Sequence, residues 1–351
     1  MKQSLAVIFG GVSSEHEISL LSSFSILSHL DREKYDVHML GITRAGRWLS
    51  YEGPLERIKD GSWAGHASCR PAYLPPDRGV RGIVRGDEVI PVDVVFPVLH
   101  GVGGEDGTIQ GLFEMAGLPY VGCGVAASAN CMDKALSKQL FAQAGLPQCP
   151  YLALRRSEAG SVAAMADRCE RELFYPMFVK PSNTGSSIGI GKAKNREELE
   201  AAIETALRYS DCVIVEKCVD AREIEVAVMG NREPVAACCG EILPAREFYD
   251  FSAKYEDENS RTVIPADLPH ALSERILETA VRAYRAAGCE GLARVDFFID
   301  RADGKLYLNE INTLPGFTNI SMFPKLFMAT GYSYAGLLDR LIELAHERAA
   351  L

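Results

Sequence analysis

The chain has 351 residues, of which 47% are hydrophobic and 24% charged, and its formal net charge is −10. That composition is typical of a soluble globular protein with two or three domains. The negative charge argues against a general nucleic-acid surface, which needs clustered lysine and arginine. It is compatible with a nucleotide ligand, because a few local lysines can outweigh the global sign.

The longest apolar runs, such as "VDVVFPVL", are far shorter than the ~18 residues of a membrane span. The N-terminal "MKQSLAVIFGG" is typical of a buried strand entering a loop rather than of a signal peptide. No cysteine pair has C-x-x-C spacing, and Cys131, Cys212 and Cys289 lie in apolar stretches. Buried reduced thiols are therefore favoured over zinc ligands or disulfides. We expect a cytoplasmic protein with no membrane or nucleic-acid partner.

The first third alternates predicted strands and helices. "LAVIFGG", "YDVHMLGI" and "VDVVFPVL" are the strands, and "HEISLLSSFSILSHL" and "TIQGLFEMAG" are the helices. Residues 50–90 are rich in Gly, Pro and Arg and are predicted to form a surface excursion. Strand–loop–helix units of this kind predict a parallel α/β sheet with its site at the carboxyl ends of the strands.

From about residue 125 the pattern changes. One helix is predicted over "SANCMDKALSKQLFAQAG", followed by strands in "MFVKPSNTGSSIGI", "CVIVEKCV", "EIEVAVMG" and "EPVAACCGEIL". A helix over "LSERILETAVRAYRAAG" then leads to two apolar strands, "ARVDFFID" and "KLYLNEIN", and to a closing helix. The two strands flank "RADG", an Asp-Gly turn that is typical of a hairpin.

This hairpin predicts a metal site. If residue 300 faces residue 306, then Asp296 faces Glu310 and Arg294 faces Asn312, and all four side chains share one face. Two opposed carboxylates repel each other unless a cation lies between them, and oxygen-only ligands suit Mg²⁺. The alternative is an exposed polar face on which Arg294 neutralises one acid. The large apolar residues expected on the same face, Phe298 and Leu308, weigh against that alternative.

Other stretches predict a nucleotide site less specifically. In "FVKPSNTGSSIGI", Lys180 ends a strand before a Gly- and Ser-rich loop that suits phosphates, although a plain β-turn is equally compatible. Lys134 in "CMDKALSK" is a further candidate cation, or only a solvated lysine. Glu216 and Lys217 resemble an adenine-binding edge with Glu223 towards the ribose, and a solvated hairpin rim is the alternative.

Two polar loops complete the candidates. In "GGVSSEHEIS", Ser14 and Glu17 have capping-box spacing, which leaves Glu15 in the first helical turn. The Glu15 carboxylate suits a substrate ammonium group, or it only complements the helix dipole. "FYDFSAKYEDEN" is a polar loop with Lys254 and Tyr255 that is suited to closing over a site.

Eight stretches occur in a characteristic order along the chain: "GGVSSEHEISL", "HGVGGEDGTIQG", "CMDK", "FVKPSNTGSSIGI", "VEK", "YDFSAKY", "ARVD" and "NEINTLPGFT". Together they resemble the D-alanine–D-alanine ligases of the ATP-grasp superfamily over nearly the whole chain except residues 50–90. The resemblance implies an α/β fold, α+β overall. It implies a Rossmann-like parallel-sheet domain at 1–124 and a two-part ATP-grasp fold, with a central subdomain at 125–218 and a C-terminal, metal-binding subdomain at 219–351.

The resemblance also implies a reaction. ATP phosphorylates the carboxylate of one D-alanine, and the amine of a second D-alanine attacks the acyl phosphate to give the dipeptide, ADP and phosphate for peptidoglycan synthesis. Two Mg²⁺ (or Mn²⁺) ions are implied, with K⁺ activation as a further expectation. A cytoplasmic homodimer is the implied assembly.

Site roles follow by position in the resemblance. The implied ATP ligands are Lys134, Lys180, Glu216, Lys217, the Val219 backbone, Glu223 and Lys254. The implied metal ligands are Asp296, Glu310 and Asn312. The implied groups for the first D-alanine are Glu15, Ser186 and Tyr255, with His100 and Glu105 nearby. Arg294 and the Gly316 N–H match the oxyanion hole, and Ser321 matches the group that binds the second carboxylate.

The second subsite has rival occupants, because similar ligases join D-alanine to D-lactate or D-serine. Lactate ligases have histidine at the position of Tyr255, and many lactate and serine ligases have arginine at that of Met322. An apolar Met322 suits a methyl group and offers no partner to a hydroxyl, so D-alanine is favoured. "GRWLSYEG" and "IKDGSW" nevertheless look somewhat like the serine-ligase branch.

Two more distant alternatives stay open. One is another ATP-grasp carboxylate–amine ligase, which would not account for Glu15, Tyr255 and Ser321 together. The other is a nucleotide-binding regulator without activity. The presence of the implied metal ligands and of Arg294 disfavours the regulator.

Overall fold

The computed structural model describes residues 2–185, 188–243 and 261–350. Its helices are α1 (His16–His29), α2 (Glu56–Lys59), α3 (Thr108–Ala116), α4 (Val125–Met132), α5 (Lys134–Gln143), α6 (Arg156–Ala159), α7 (Val162–Glu172), α8 (Arg196–Ala206), α9 (His270–Ala286), α10 (Met322–Ala329) and α11 (Tyr334–Ala349), with a short 3₁₀ helix at Trp63–Gly65.

Strands form three main sheets and one small hairpin. The strands are β1 (Gln3–Gly10), β2 (Tyr35–Ile42), β3 (Trp48–Tyr51), β4 (Arg70–Pro71), β5 (Gly82–Arg85), β6 (Glu88–Pro91), β7 (Val94–Val98), β8 (Tyr151–Arg155), β9 (Met177–Pro181), β10 (Gly191–Ala193), β11 (Cys212–Lys217), β12 (Ala221–Met229), β13 (Val235–Leu243), β14 (Arg261–Val263), β15 (Leu292–Asp300) and β16 (Leu306–Asn312).

The first sheet has the order β4-β3-β2-β1-β7. Strands β2, β1 and β7 are parallel, as the sequence predicts, whereas β3 and β4 add antiparallel pairs at one edge. Strand β1 is buried on both faces: Leu5, Val7 and Phe9 enter one apolar cluster, and Ala6 and Ile8 enter another. Burial on both faces explains the continuous apolar run in its sequence.

The prediction of a surface excursion over residues 50–90 is wrong. This segment contains β4, β5, β6 and α2, and it buries Tyr51, Ile58 and Trp63 to 1% exposure or less. The Trp63 ring meets Phe9 edge-on, with the ring centroids 4.9 Å apart. The Gly, Pro and Arg content marks the turns between short elements, while a few large side chains anchor the segment on the sheet.

The other two sheets have the orders β10-β9-β11-β8 and β14-β13-β12-β15-β16. Helices α7 and α8 share the core of the smaller one, and α9 packs on the larger one through residues that include Ile276, Ala280 and Ala283. The predicted strands of this region and the predicted helix at α9 are confirmed. The three sheets fall within 1–124, 125–218 and 219–351, and those boundaries stay a proposal.

Helices α10 and α11 follow the third sheet. Helix α10 packs on its strands β12 and β13, whereas α11 packs against the first sheet. Leu337, Leu338 and Leu341 of α11 belong to the same apolar cluster as Val7 and Phe9 of β1. The core of the N-terminal sheet is therefore completed by the C-terminal part of the chain.

The single helix predicted over "SANCMDKALSKQLFAQAG" is wrong, because it breaks at Asp133. Asp133 has extended backbone angles, and its side chain accepts hydrogen bonds from the N–H groups of Ala135 and Leu136. Ser182 also donates to the Asp133 carboxylate at 2.5 Å. The cap ends α4 and starts α5, so Lys134 becomes the first residue of a helix instead of lying within one.

All ten cysteines are free thiols, and Cys131, Cys212 and Cys289 are buried, as expected from their apolar surroundings. Across the parts of the chain that the structure describes, no helix is both long and apolar enough to cross a bilayer.

Candidate active site

A cleft opens where the carboxyl ends of β1 and β7 approach the start of α5 and the β15–β16 hairpin. Its space, including the part that is open to solvent, is about 820 Å³. Eight of the residues predicted for the site line it, namely Glu15, His100, Glu105, Lys134, Arg294, Glu310, Asn312 and Gly316. The fold therefore brings together candidates from all three predicted segments, at the sheet edge where the sequence predicted a site.

The hairpin has the predicted register at the cleft. Asp296 lies opposite Glu310, and Arg294 lies opposite Asn312. Across the sheet, Glu225 of β12 is the other neighbour of Asp296. Three carboxylates therefore surround Arg294 and Asn312 at one end of the hairpin.

The register changes beyond Glu310, where a β-bulge makes Asn309 an extra residue. Phe297 lies opposite Leu308 and both are buried in the core, so the prediction that Phe298 and Leu308 share the site face is wrong. The bulge lets Leu308 face the core and still places Asn309 towards the cleft side, where the Lys180 ammonium group donates to its amide oxygen at 3.4 Å.

Arg294 neutralises Asp296 directly, as the alternative interpretation of the hairpin anticipates. The guanidinium donates to both carboxylate oxygens at 2.7 and 2.8 Å, and its Nε lies 3.0 Å from Glu225 Oε2. The Asn312 amide nitrogen donates to Asp296 at 2.9 Å. This network is only 7% exposed at Arg294 and Glu225, so the arginine is fixed in a defined orientation at the cleft.

The same face offers oxygen ligands for a metal. Asp296, Glu310 and Asn312 supply carboxylate and amide oxygens only, the donor set that Mg²⁺ prefers. Lys134 lies 3.8 Å from the Glu310 carboxylate. Within residues 2–185, 188–243 and 261–350, no cluster of three or more His, Cys, Asp or Glu side chains has metal-binding geometry.

Lys134 contacts the glycine-rich loop that follows Lys180. The Lys134 ammonium group donates to the Thr184 carbonyl at 2.9 Å, and its backbone N–H donates to the Ser182 carbonyl at 2.7 Å. The helix break at Asp133 thus orients Lys134 into the cleft.

Glu216 is a buried carboxylate shared by two lysines. Its Oε1 lies 2.5 Å from Lys138 Nζ and its Oε2 lies 2.5 Å from Lys180 Nζ. Burial raises the pKa of Glu216, but the two ammonium groups more than offset this and lower it to about 2. Burial likewise lowers the pKa of Lys180, and the Glu216 carboxylate reverses this and raises it. The site therefore holds a permanently ionised carboxylate next to the predicted phosphate lysine.

His100 and Glu105 lie at the other end of the cleft. His100 is 6% exposed, its Nδ1 lies 3.0 Å from the Leu314 carbonyl oxygen and its Nε2 lies 3.3 Å from Ser22 Oγ. Burial lowers the pKa of His100, and the carboxylates of Glu105 and Glu15 outweigh this and raise it. Glu105 is itself fixed by the Gly101 N–H, which donates to it at 3.0 Å.

Known protein families match both halves of the chain. The model described as "D-ala D-ala ligase N-terminus" matches residues 4–123, and the model described as "D-ala D-ala ligase C-terminus" matches residues 140–343. The chain belongs to the D-alanine–D-alanine ligase family.

Relatives in this family are similar over their full length. The D-alanine–D-alanine ligase of Ruminiclostridium cellulolyticum is 49% identical, and that of Heliobacterium modesticaldum is 51% identical; each alignment covers 99% of this chain and 96% of the relative. These matches confirm the resemblance stated from the eight stretches.

Solved structures of the family confirm the predicted fold class, an N-terminal α/β sheet followed by an ATP-grasp fold. The VanG D-Ala:D-Ser ligase from Enterococcus faecalis has a TM-score of 0.91 and 40% identity, covering 98% of this chain and 100% of that one. The D-alanine–D-alanine ligase from Coxiella burnetii has a TM-score of 0.89 and 35% identity, covering 99% and 95%.

The capping box predicted from the spacing of Ser14 and Glu17 is wrong. Glu15 is the N-cap residue of α1, no side-chain hydrogen bond caps the helix, and Glu17 pairs instead with Arg44. Glu15 is 7% exposed and lines the cleft, and the Ser13 hydroxyl accepts from its backbone N–H at 3.1 Å. The Glu15 carboxylate faces the cleft because this residue lies at the N-terminus of α1, just beyond the carboxyl end of β1.

The loop after β16 holds the remaining described candidates. Ser321 Oγ accepts from the Thr318 N–H at 3.0 Å, and a side-chain carbon on Gly316 would lie 2.8 Å from this oxygen. Met322 is 5% exposed and packs away from the cleft lining: its methyl carbon lies 2.3 Å from where a side-chain carbon on Gly240 would be. The side chain of Met322 thus contacts β13 and the core.

The other predicted ATP ligands lie along the second and third sheets. Lys217 is exposed at the end of β11, Val219 is half-buried in the following loop, and Glu223 is half-buried on β12 opposite Phe298. None of these three lines the cleft of the described residues. Ser186, Lys254 and Tyr255 lie outside the described residues.

The sequence interpretation missed several buried polar residues of the site. Lys138 is 3% exposed beside Glu216, Glu225 supports Arg294, and Ser22 contacts His100. A signal existed for Lys138: two lysines four residues apart repel each other on an exposed helix, so the "KALSK" spacing suggests that at least one of them has an anionic partner. Ser22 and Glu225 carry no comparable signal, because their partners come from distant segments.

Proposed function

We propose that this protein is an ATP-dependent D-alanine–D-alanine ligase that supplies peptidoglycan precursors. A carboxylate oxygen of the first D-alanine attacks the γ-phosphorus of ATP, and ADP leaves. The amine nitrogen of the second D-alanine then attacks the carbonyl carbon of the acyl phosphate; the tetrahedral intermediate expels phosphate and the nitrogen loses a proton. The observation that carries this proposal is the single cleft that joins Glu15, Lys134, Arg294 and Glu310.

At the ATP end, Lys134 and Lys180 would bind phosphates, and Glu216, Lys217, the Val219 backbone and Glu223 would bind adenosine. Asp296, Glu310 and Asn312 would hold two Mg²⁺ or Mn²⁺ ions, with K⁺ as a further activator. Such ions neutralise the charge that develops on transferred phosphate. The pairing of Glu310 with Lys134, at 3.8 Å, supports a site where cations would bridge carboxylate and phosphate oxygens.

At the amino-acid end, Glu15 would hold the ammonium group of the first D-alanine, with His100 and Glu105 nearby. Arg294 and the Gly316 N–H would stabilise the oxyanion of the tetrahedral intermediate, and Ser321 would bind the second carboxylate. The fixed guanidinium, held by Asp296 and Glu225, supports a preorganised donor. Ser186, Lys254 and Tyr255 belong to the same proposal on the family resemblance alone.

The second substrate is D-alanine in this proposal. Curated relatives at 46–51% identity carry the name D-alanine–D-alanine ligase, whereas the D-Ala:D-Ser ligase of known structure is 40% identical. D-serine is the second candidate because of that 40% relative, and D-lactate is disfavoured by Tyr255.

A coupled assay of ADP release tests the proposal. With ATP, Mg²⁺ and D-alanine alone we expect turnover, and at neutral pH addition of D-serine or D-lactate should not yield a mixed product faster than the D-alanine dipeptide forms. Faster formation of a mixed product would replace D-alanine by that substrate, and no ADP release with any of the three would overturn the enzyme assignment.

Assembly and location complete the proposal. The family resemblance supports a cytoplasmic homodimer with D-alanine and ATP as its ligands. Light scattering on the purified protein should give twice the chain mass of 38.3 kDa. A mass of one chain at micromolar concentration would contradict the dimer.

A further inference from the structure

The loop that follows β16 is held at two points by residues of the first sheet domain. His100 Nδ1 lies 3.0 Å from the Leu314 carbonyl oxygen, and the Phe317 N–H donates to Ser22 Oγ at 3.2 Å. Ser22 and His100 also contact each other, with 3.3 Å between Oγ and Nε2. A helix residue and a strand-end residue thus form one connected support for the loop.

Ser22 uses its hydroxyl differently from its neighbours on α1. Ser23 and Ser28 donate to the carbonyl four residues earlier in the helix, Ser19 and Phe24, at 2.7 Å each. That is the usual local bond of a helical serine. Ser22, which is fully buried, instead directs its hydroxyl to a loop almost 300 residues away.

Gly316 lies between the two supported positions. A side-chain carbon there would be 2.8 Å from Ser321 Oγ and 3.9 Å from Ser22 Oγ, so two hydroxyl groups lie close to the position that a side chain would occupy. The backbone of the next residue is fixed at both of its polar groups, because the Phe317 N–H donates to Ser22 and the Phe317 carbonyl accepts from the Tyr334 hydroxyl at 2.6 Å. Few orientations of the Gly316 N–H are compatible with these contacts.

We infer that Ser22 is a positioning residue, which together with His100 fixes the Leu314–Phe317 loop so that the Gly316 N–H points at the reacting carbonyl. The inference rests on the proposed ligase function and on the oxyanion role of Gly316 within it. An oxyanion donor is effective only when it is already oriented towards the charge that develops. The contacts of Ser22 and His100 with the loop should therefore affect the rate of the chemical step and not ATP binding.

The test is Ser22→Ala, with Ser23→Ala as the matched control. Both substitutions remove one fully buried hydroxyl from the same helix, but only the first frees the Phe317 N–H. For Ser22→Ala we expect kcat to fall about 10- to 100-fold, since a misplaced donor loses transition-state stabilisation. The KM for ATP should not change, and Ser23→Ala should keep the wild-type kcat.

A binding measurement separates positioning from general loss of structure. A phosphinate dipeptide, in which tetrahedral phosphorus replaces the reacting carbonyl carbon, should bind Ser22→Ala more weakly by about the factor lost in kcat, because it imitates the intermediate. ATP affinity should be equal in both variants. A Ser22→Ala enzyme with wild-type kcat and wild-type phosphinate affinity would overturn the inference.

Two further measurements keep the outcome interpretable. If Ser22→Ala does not fold, Tyr334→Phe frees the carbonyl of the same residue, Phe317, and should lower kcat at constant KM for ATP; an unchanged kcat would then count against the inference. Wild-type turnover with D-alanine is measured first, so an inactive wild type contradicts the ligase proposal, whereas an active wild type with indifferent variants contradicts only the role of Ser22.

Discussion

Glu216 has a buried carboxylate whose two oxygens each contact a different lysine. Removing such an ion from water costs several kcal/mol, and the cost is offset only when charges of opposite sign are close and well oriented. Lys138 is 3% exposed, and its ammonium group contacts the Glu216 carboxylate and lies 4.9 Å from the centroid of the Tyr151 ring. Because Lys138 stays in contact with Glu216, Lys180 can turn towards a phosphate and the carboxylate still has one cation beside it.

Replacing Lys138 by Met should make the protein more sensitive to acid. The pKa of Glu216 is lowered to about 2 in the folded state, so its stabilising contribution is complete above the unfolded value near 4.5 and is lost as the pH falls towards 2. Lys138→Met raises the folded pKa, and we expect a loss of about 1–3 kcal/mol at neutral pH, since Lys180 remains as a partner.

Unfolding followed by fluorescence between pH 3 and pH 7 measures this effect. The acid-unfolding midpoint of Lys138→Met should lie at higher pH than that of the wild type, and the KM for ATP should rise. Lys194→Met removes an exposed lysine and serves as the control. Equal midpoints for wild type and Lys138→Met would show that Lys180 alone maintains the ionised carboxylate.

Glu310→Gln tests the metal face of the hairpin. Removing a charged oxygen ligand should lower turnover about 100-fold or more and weaken Mn²⁺ binding, which paramagnetic resonance measures without turnover. Asp303→Asn removes an exposed acid from the turn of the same hairpin and should change neither quantity. Normal Mn²⁺ affinity in Glu310→Gln would remove this carboxylate from the metal site.

Helix α10 follows the loop after β16 and packs on the third sheet. Met322 is the first residue of this helix. Gly240 of β13 provides the space that the Met322 methyl group fills, with Leu326 beside it. The side chain at position 322 therefore influences the second subsite through the way in which α10 packs on β13, in addition to any contact with substrate.

Met322→Arg should have two separable effects. An arginine cannot be accommodated in the apolar space at Gly240, so it must turn towards the cleft, and we expect the preference to shift from D-alanine towards D-serine or D-lactate. The free energy of unfolding should fall by about 2–4 kcal/mol because the core loses an apolar side chain. Competition between D-alanine and D-serine, followed by product chromatography, measures the first effect and thermal unfolding the second.

Met328→Arg is the matched control, because Met328 lies on the same helix and is 46% exposed. It should alter neither selectivity nor stability by a measurable amount. If Met322→Arg destabilises the protein but leaves selectivity unchanged, position 322 acts only in packing.

Elements with continuous apolar sequence could be predicted, and irregular ones could not. Burial on both faces gives β1 and β7 their unbroken hydrophobic runs, and "RADG" indicates the hairpin. The predicted pairing of residue 300 with residue 306 is wrong, because Ile299 lies opposite Leu306, and Asp296 faces Glu310 only because the bulge shifts the register by one residue. The bulge at Asn309 depends on which side chain fills the core below it, and the helix break at Asp133 depends on Ser182. Such tertiary partners leave no periodic signal in the sequence.

At the scale of the whole molecule, α11 joins the two ends of the described chain. Its leucines share a core with β1, and Asp339 accepts hydrogen bonds from Tyr35 and Lys34 at the start of β2. The cleft is assembled between segments that are fixed relative to each other by this packing as well as by the loop at Leu314.

Leu341→Ala should therefore destabilise the whole enzyme. Leu341 is 1% exposed in the core that α11 shares with the first sheet, and its truncation should cost about 2–5 kcal/mol. Glu343→Ala, on the exposed side of the same helix, should change stability by less than about 0.5 kcal/mol. Urea unfolding measures both, and similar midpoints for the two variants would mean that α11 contributes little to that core.

The shared core also constrains how the protein is made. Strand β1 ends at Gly10 and α11 begins at Tyr334, so translation at ~5–20 residues per second separates them by on the order of 15–65 s. Throughout that interval the nascent first sheet has one apolar face without its final cover, which is the kind of surface that chaperones recognise. Strand β1 is thus synthesised well before α11, the helix that covers it.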